Sequence, residues 1–161
     1  MRRPPVVDLF DTRDRACALA DAKDGRTVSV CIPARNEATT IGSIVAAIRS
    51  NLRDQAGLVD EIVVMNHASE DSTAAIATLA GAAVVDADRI ASEFGPAVGK
   101  GDVLWRSLQA STGDVIVWLD ADLESFTPDY VIALLGPLLL YDSVAMVRSN
   151  YARALAGDPN G

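Results

Sequence analysis

Asp120-Ala121-Asp122 stands directly after the chain's clearest β-branched apolar run, Val-Ile-Val-Trp-Leu. Alternate residues of an extended segment point the same way, so both carboxylates can face one ligand. Paired carboxylates suit a hard divalent cation such as Mg²⁺, which uses one or two protein carboxylates, keeps waters and completes its shell with substrate phosphate oxygens. Gly99-Lys100-Gly101 offers the complementary chemistry. Flanking glycines let backbone approach an anion, and a lysine at a helix start supplies a point charge. The segment is not a P-loop, because Gly95 and Gly99 are one residue too close and Gly101 replaces the hydroxyl residue of G-x-x-x-x-G-K-[ST]. No G-x-G-x-x-G occurs, which removes the main support for a dinucleotide fold of the NAD type.

Two further polar segments follow apolar runs. In Pro33-Ala34-Arg35-Asn36-Glu37, the proline ends a strand ladder for want of an N–H, and the next residues can wrap a planar base or a ribose. Asn66-His67-Ala68-Ser69-Glu70-Asp71-Ser72-Thr73 occupies the corresponding place after a second run, with side-chain oxygens able to cap a helix or hydrogen-bond a nucleotide. His67, the single histidine, reads as a polar loop residue rather than a ligand.

The elements that must position these segments follow from periodicity. Residues 28–32 form an apolar run rich in β-branched residues, and Ile41, Ile44, Val45, Ile48 and Leu52 then repeat at helical spacing. Residues 62–65 give a second strand, and the alanine-rich residues 73–80 a second helix. A weaker strand at 83–85 leads into an irregular stretch, a helix from about 102 to 110 and a strong strand at 114–119. Thr127-Pro128 reads as an N-cap and first-turn proline, opening a helix that Gly136-Pro137 stops or kinks. Residues 144–147 are expected to form a fifth strand, and residues 156–161 have pure turn composition. Apolar strands alternating with helices predict an α/β fold with a mostly parallel sheet covered on both faces. In such sheets ligands bind beyond the carboxyl ends of the strands, which is where all four polar segments lie.

Composition narrows the partners. The chain has 161 residues, 50% of them apolar, enough for one domain with a core that needs no disulfide or metal staple. Fourteen Lys and Arg against 22 Asp and Glu give a formal charge of −8, which works against nucleic acid. Cys17 in a charged leader and Cys31 in an apolar run do not resemble a disulfide framework, so a reducing, cytoplasmic setting is expected. Met1-Arg2-Arg3-Pro4-Pro5 is followed by Asp8, Asp11 and Asp14 with no apolar h-region, and the nearly uncharged stretch 130–141 is too short for a bilayer, so neither secretion nor membrane insertion is expected.

Taken together, V-S-V-C-I-P-A-R-N-E, E-I-V-V-M-N-H-A-S-E-D-S-T, G-K-G-D-V-L-W-R-S-L and D-V-I-V-W-L-D-A-D resemble the nucleotide-sugar domain of GT-A glycosyltransferases, which have a Rossmann-like fold. Within them the likeness is to the glucosyl-3-phosphoglycerate synthase family, and it runs from about residue 16 to 151. G-K-G-x-x-L-W-R-S-L is the segment that separates this family from general inverting glycosyltransferases. The resemblance implies a metal-dependent, retaining glucosyltransferase that uses Mg²⁺ or Mn²⁺ to move glucose from UDP-glucose, or another nucleotide-sugar, to 3-phosphoglycerate. By matching position it implies that Pro33, Ala34, Arg35 and Glu37 line the uridine and Ser69 contacts the uracil or its surroundings. It assigns Lys100 to the nucleotide and diphosphate, Asp120 to the ribose or metal, and Asp122 to the metal itself.

Where relatives commonly carry an aspartate and then a glycine before the serine, this chain has Asn66 and Ala68. The family also continues for roughly as long again, and that half supplies acceptor-binding residues and a histidine metal ligand, so the fold is expected to be incomplete at its C-terminus and the catalytic residues to lie elsewhere. The expected organisation is a leader and helix over 1–24, a nucleotide-sugar-binding half-domain over 25–151 and a terminal loop over 152–161, with an uncovered sheet edge that favours a homo-oligomer. The alternative function is a non-catalytic nucleotide-sugar-binding fragment or interaction module. A haloacid-dehalogenase-like phosphatase fits poorly: its D-x-D-x-[TV] follows the first strand, whereas here the pair follows a late strand with Glu124 in place of Thr or Val.

Overall fold

The computed structural model describes residues 11–149, so the first ten residues of the expected leader and the expected terminal loop lie outside the described residues. Helix α1 (Thr12–Asp21) precedes strand β1 (Val28–Ala34), helix α2 (Ile41–Ala47), strand β2 (Glu61–Asn66), helix α3 (Thr73–Ala80), strand β3 (Ala83–Asp86), helix α4 (Gly99–Ala110), strand β4 (Val115–Trp118) and helix α5 (Asp129–Leu140). The four strands form one all-parallel sheet in the order β3-β2-β1-β4.

Alternation along the strands builds a core on each face of the sheet. Val28, Val30, Ile32 and Ala34 of β1 join Ile62 and Val64 of β2 in the larger core, which takes in Ile41, Ile44 and Val45 of α2 and Val131, Leu135 and Leu139 of α5. Cys31, Val63 and Met65 point to the other face and pack with Val103 of α4. The α/β class and the covering of both faces are as the sequence predicts. Burial pushes the Cys31 thiol up, which keeps it a neutral core side chain. Both cysteines are free.

Four local expectations change. Residues 144–149 pair with no strand: Ala145, Met146 and Val147 instead line an apolar groove beside β4, whose outer edge carries no partner among the described residues. An apolar β-branched run becomes a strand only where a ladder receives it. Pro137 does not stop α5, which runs to Leu140, because the carbonyls at its end find other donors. The Arg26 guanidinium donates to the Leu138 and Leu139 oxygens at 3.3 and 3.0 Å, and the Tyr141 N–H to Pro137 O at 3.2 Å. The helix begun by α2 continues past Leu52 as a π-helical segment, Ile48–Gln55, whose end is held by the Leu58 and Val59 N–H groups on Leu52 O. Finally, α4 begins at Gly99 rather than near residue 102, so Lys100 sits in a helical turn and not in a loop.

Candidate functional site

β1, β2 and β3 are laid down outward in one direction and β4 returns to the other side of β1, so the order of the sheet reverses between β1 and β4. A crevice opens at the carboxyl ends of strands flanking such a reversal. There the structure has a cavity of 310 Å³ lined by Pro33, Ala34, Arg35 and Glu37 after β1, His67 after β2, Gly99, Lys100 and Val103 of α4, and Asp120, Ala121 and Asp122 after β4. Seven of the eight residues singled out from the sequence therefore share one wall system.

Asp120 and Asp122 face the cavity because the residue between them is fastened elsewhere. Ala121 is 4% exposed, and its carbonyl accepts the Thr40 hydroxyl at 2.6 Å, anchoring the turn to the start of α2. The Asp120 carboxylate accepts from the Lys100 ammonium at 2.5 Å. Asp122 is exposed and has no hydrogen-bond or ion-pair partner among the described residues. Lys100, which sequence reasoning treats as a lone cation between glycines, is thus a paired one.

The rim is built by cross-links between the loops after β1 and β2. Ser69 Oγ accepts from the Asn36 N–H at 3.1 Å, and Asn36 Oδ1 accepts from the Glu70 N–H at 2.8 Å. Thr73 Oγ1 accepts from the Glu37 N–H at 2.8 Å, and Asp71 Oδ2 from the Ala38 N–H at 3.1 Å. The Thr73 hydroxyl, followed by backbone N–H groups, holds the Asp71 carboxyl below the usual carboxylate range. Ser69 does not line the cavity; its hydroxyl serves this latch.

His67 does line it, which the reading of that residue as a bland loop position missed. Its Nε2 lies 3.0 Å from Ala97 O, and since a carbonyl only accepts, Nε2 carries the proton. Val103 was also missed, because its place in the wall depends on how α4 lies on the sheet, whereas Gly99, singled out beside Lys100, lines the cavity with it. Asn66, at the end of β2, buries its Oδ1 without a hydrogen-bond partner among the described residues.

The opposite wall rests on a buried arginine. Arg106 is 1% exposed and donates to the carbonyls of Ala87, Ile90 and Gly95, while its Nε meets Asp102 Oδ1 at 3.2 Å. Asp102 also accepts the Val98 N–H at 2.8 Å. That N–H first, and the Arg106 guanidinium second, hold the Asp102 carboxyl below its ordinary value. The Arg106–Asp102 unit thereby fixes residues 87–98 and the start of α4 that carries Lys100.

The donor chemistry of this cavity suits a hard dication: two carboxylates, one of which already holds a cationic group, the Lys100 ammonium. No group of three or more His, Cys, Asp and Glu placed to hold a metal occurs among the described residues, so the remaining ligands would be waters and phosphate oxygens. No described helix is long and apolar enough to cross a membrane.

Comparison with known proteins matches residues 29–154 to glycosyl transferase family 2. The glucosyl-3-phosphoglycerate synthase of Mycolicibacterium smegmatis is 48% identical over 147 residues, covering 89% of this chain and 48% of that protein. Among solved structures, mannosyl-3-phosphoglycerate synthase from Rubrobacter xylanophilus superposes with a TM-score of 0.75 at 40% identity, covering 82% of this chain and 42% of that one. Glucosyl-3-phosphoglycerate synthase from Mycobacterium tuberculosis, in complex with Mn²⁺, UDP-glucose and phosphoglyceric acid, superposes with a TM-score of 0.72 at 41% identity, covering 88% of this chain and 46% of that one. The chain spans about half the length of these relatives.

Proposed function

This chain belongs to glycosyl transferase family 2, and from its likeness to glucosyl-3-phosphoglycerate synthases we propose that it carries the donor side of a metal-dependent, retaining glucosyltransferase moving glucose from UDP-glucose to 3-phosphoglycerate. The observation that carries the reading is the convergence of Asp120, Asp122 and Lys100 with the loop after β1 on one cavity at the sheet's reversal point. Relatives more than 40% identical bear the glucosyl-3-phosphoglycerate synthase name, and one protein of that name has been crystallised with Mn²⁺, UDP-glucose and phosphoglyceric acid. On this reading residues 25–151 make up the nucleotide-sugar-binding half-domain.

Each group has a task that its position allows. Pro33, Ala34, Arg35 and Glu37 form the side of the cavity that takes the uridine, with Glu37 offering a carboxylate to ribose hydroxyls. Ser69 acts from behind, by holding Asn36 and with it the turn against which the base lies. Asp122 and Asp120 would hold the Mg²⁺ or Mn²⁺ ion, with the ribose as the other role for Asp120. When bound, that ion acts as a Lewis acid on the diphosphate, stabilising the charge that develops on departing UDP. Lys100, in the first turn of α4, brings its ammonium and the positive end of a helix of 12 residues to the same anion.

Calorimetric titration of UDP with and without Mn²⁺ tests the assignment. Asp122 has no partner among the described residues, so Asp122→Ala should keep the melting temperature while weakening Mn²⁺-dependent UDP binding at least tenfold, on the order of 1.4 kcal/mol. Equal affinities in the two proteins would remove the metal role from Asp122.

A further inference from the structure

Asp120 has two claimants. Its Oδ1 lies 2.5 Å from the Lys100 ammonium, in the cavity that the proposed divalent cation would share. A cation of the Mg²⁺ class coordinates a carboxylate oxygen at about 2.0–2.1 Å, too close to tolerate an ammonium on the same oxygen without strong like-charge repulsion. The two cations therefore compete for that carboxylate, each lowering its affinity for the other.

Around the cavity stand two cationic side chains, Arg35 and Lys100, against three carboxylates, Glu37, Asp120 and Asp122. A divalent ion arriving alone would have to expel Lys100 from Asp120 with no anion to receive it, and would leave the cavity with excess positive charge. A nucleoside diphosphate changes both terms, since it offers phosphate oxygens to the displaced ammonium and further ligands to the ion. The pair is easily opened, for the side chains are 58% and 40% exposed and an ion pair at that exposure is weak.

We infer that the Lys100–Asp120 pair is a latch that makes divalent-cation binding conditional on the donor's diphosphate: Lys100 guards Asp120 until phosphate draws it away. The inference rests on the donor-site reading above. By linkage the conditionality is reciprocal, so UDP must raise the affinity for the ion by the same factor as the ion raises the affinity for UDP. A lysine that merely contacted phosphate would strengthen UDP binding and leave the affinity for the ion alone unaffected.

Titration of Mn²⁺ alone, read by the loss of the free-ion electron paramagnetic resonance signal, separates the two roles. It would be run on the wild type, Lys100→Met and Lys100→Arg, with and without saturating UDP. Lys100→Met should bind Mn²⁺ alone about two- to fivefold more tightly than wild type, yet gain correspondingly less from UDP, while Lys100→Arg keeps most of the conditionality. The pair is exposed, so melting temperatures of all three should agree, and a common value shows that the variants are folded. Unchanged or weaker affinity of Lys100→Met for Mn²⁺ alone, with Mn²⁺-dependent UDP binding present in wild type, would overturn the latch and leave the donor site standing. Absence of Mn²⁺-dependent UDP binding in wild type would overturn the donor-site reading, and the latch with it.

Discussion

Ala68 holds a backbone φ of 50°, in the left-handed region that glycine enters freely and alanine does not. The turn after β2 therefore favours glycine at this position. Ala68→Gly should stabilise the protein by about 0.5–1 kcal/mol, the relief of strain exceeding the added freedom of the unfolded chain, as read from denaturant unfolding. A loss of stability would show that the alanine methyl makes a contact worth more than the strain. The same scale shows what the sequence could and could not convey about single side chains. Asp120 and Asp122 were legible because alternation along an extended segment is a local rule. The Lys100–Asp120 pair was not, since the partners are 20 residues apart and meet only once α4 and β4 lie on the sheet. Ser69 and His67 exchanged their expected places for a similar reason: the Asn36 N–H claims one, and the Ala97 carbonyl orients the other.

Among the elements, the start of α4 and the segment before it depend on Arg106. The resemblance segment G-K-G-x-x-L-W-R-S-L thus divides into a lysine in the cavity and an arginine beneath it, with Ser107 taking the Trp118 indole N–H at 2.9 Å to tie α4 to β4. Arg106→Met should cost about 3 kcal/mol or more, because it leaves three carbonyls without their donor and Asp102 without its cationic partner. Denaturant unfolding would reveal it, and a cost near zero would mean that water replaces the guanidinium. Acid should loosen the same elements. Asp71, Asp102 and Asp114 are all held below the ordinary carboxylate value, first by the Thr73 hydroxyl, the Val98 N–H and the Thr27 N–H respectively. Their folded values are depressed, so their contribution is complete above the unfolded value of about 3.9 and is lost as pH falls through the folded values. Stability against urea should therefore fall from about pH 4 downward, and Asp71→Asn should flatten part of that slope. A profile unchanged by Asp71→Asn would show that the rim latch does not depend on the charge. Periodicity revealed the four strands and the helices between them, but it missed the first turn of α4, and the run at 144–147 and Pro137 in α5 misled it. A ladder partner for the first and a donor, Arg26, for the carbonyls near the second are supplied or withheld by distant chain.

At the scale of the molecule, the cavity joins β1, β2, α4 and the turn after β4, so a ligand seated there ties together elements from both faces of the sheet. Binding to the folded form alone should then raise the unfolding free energy by about 2.7 kcal/mol at a UDP concentration a hundredfold above its dissociation constant in the presence of Mn²⁺. A chelator should abolish most of that gain in a thermal melt, and a gain indifferent to the chelator would divorce nucleotide binding from the metal. The fold class and the place of the cavity were readable because a parallel α/β sheet opens its crevice at the carboxyl ends of its strands. The most direct test of the central claim is a crystal structure of the chain soaked with UDP and Mn²⁺. The account predicts diphosphate between the first turn of α4 and the turn after β4, Mn²⁺ on Asp122, and Lys100 moved from Asp120 to a phosphate oxygen. UDP bound outside this cavity, or seated in it with Mn²⁺ on neither aspartate, would contradict it.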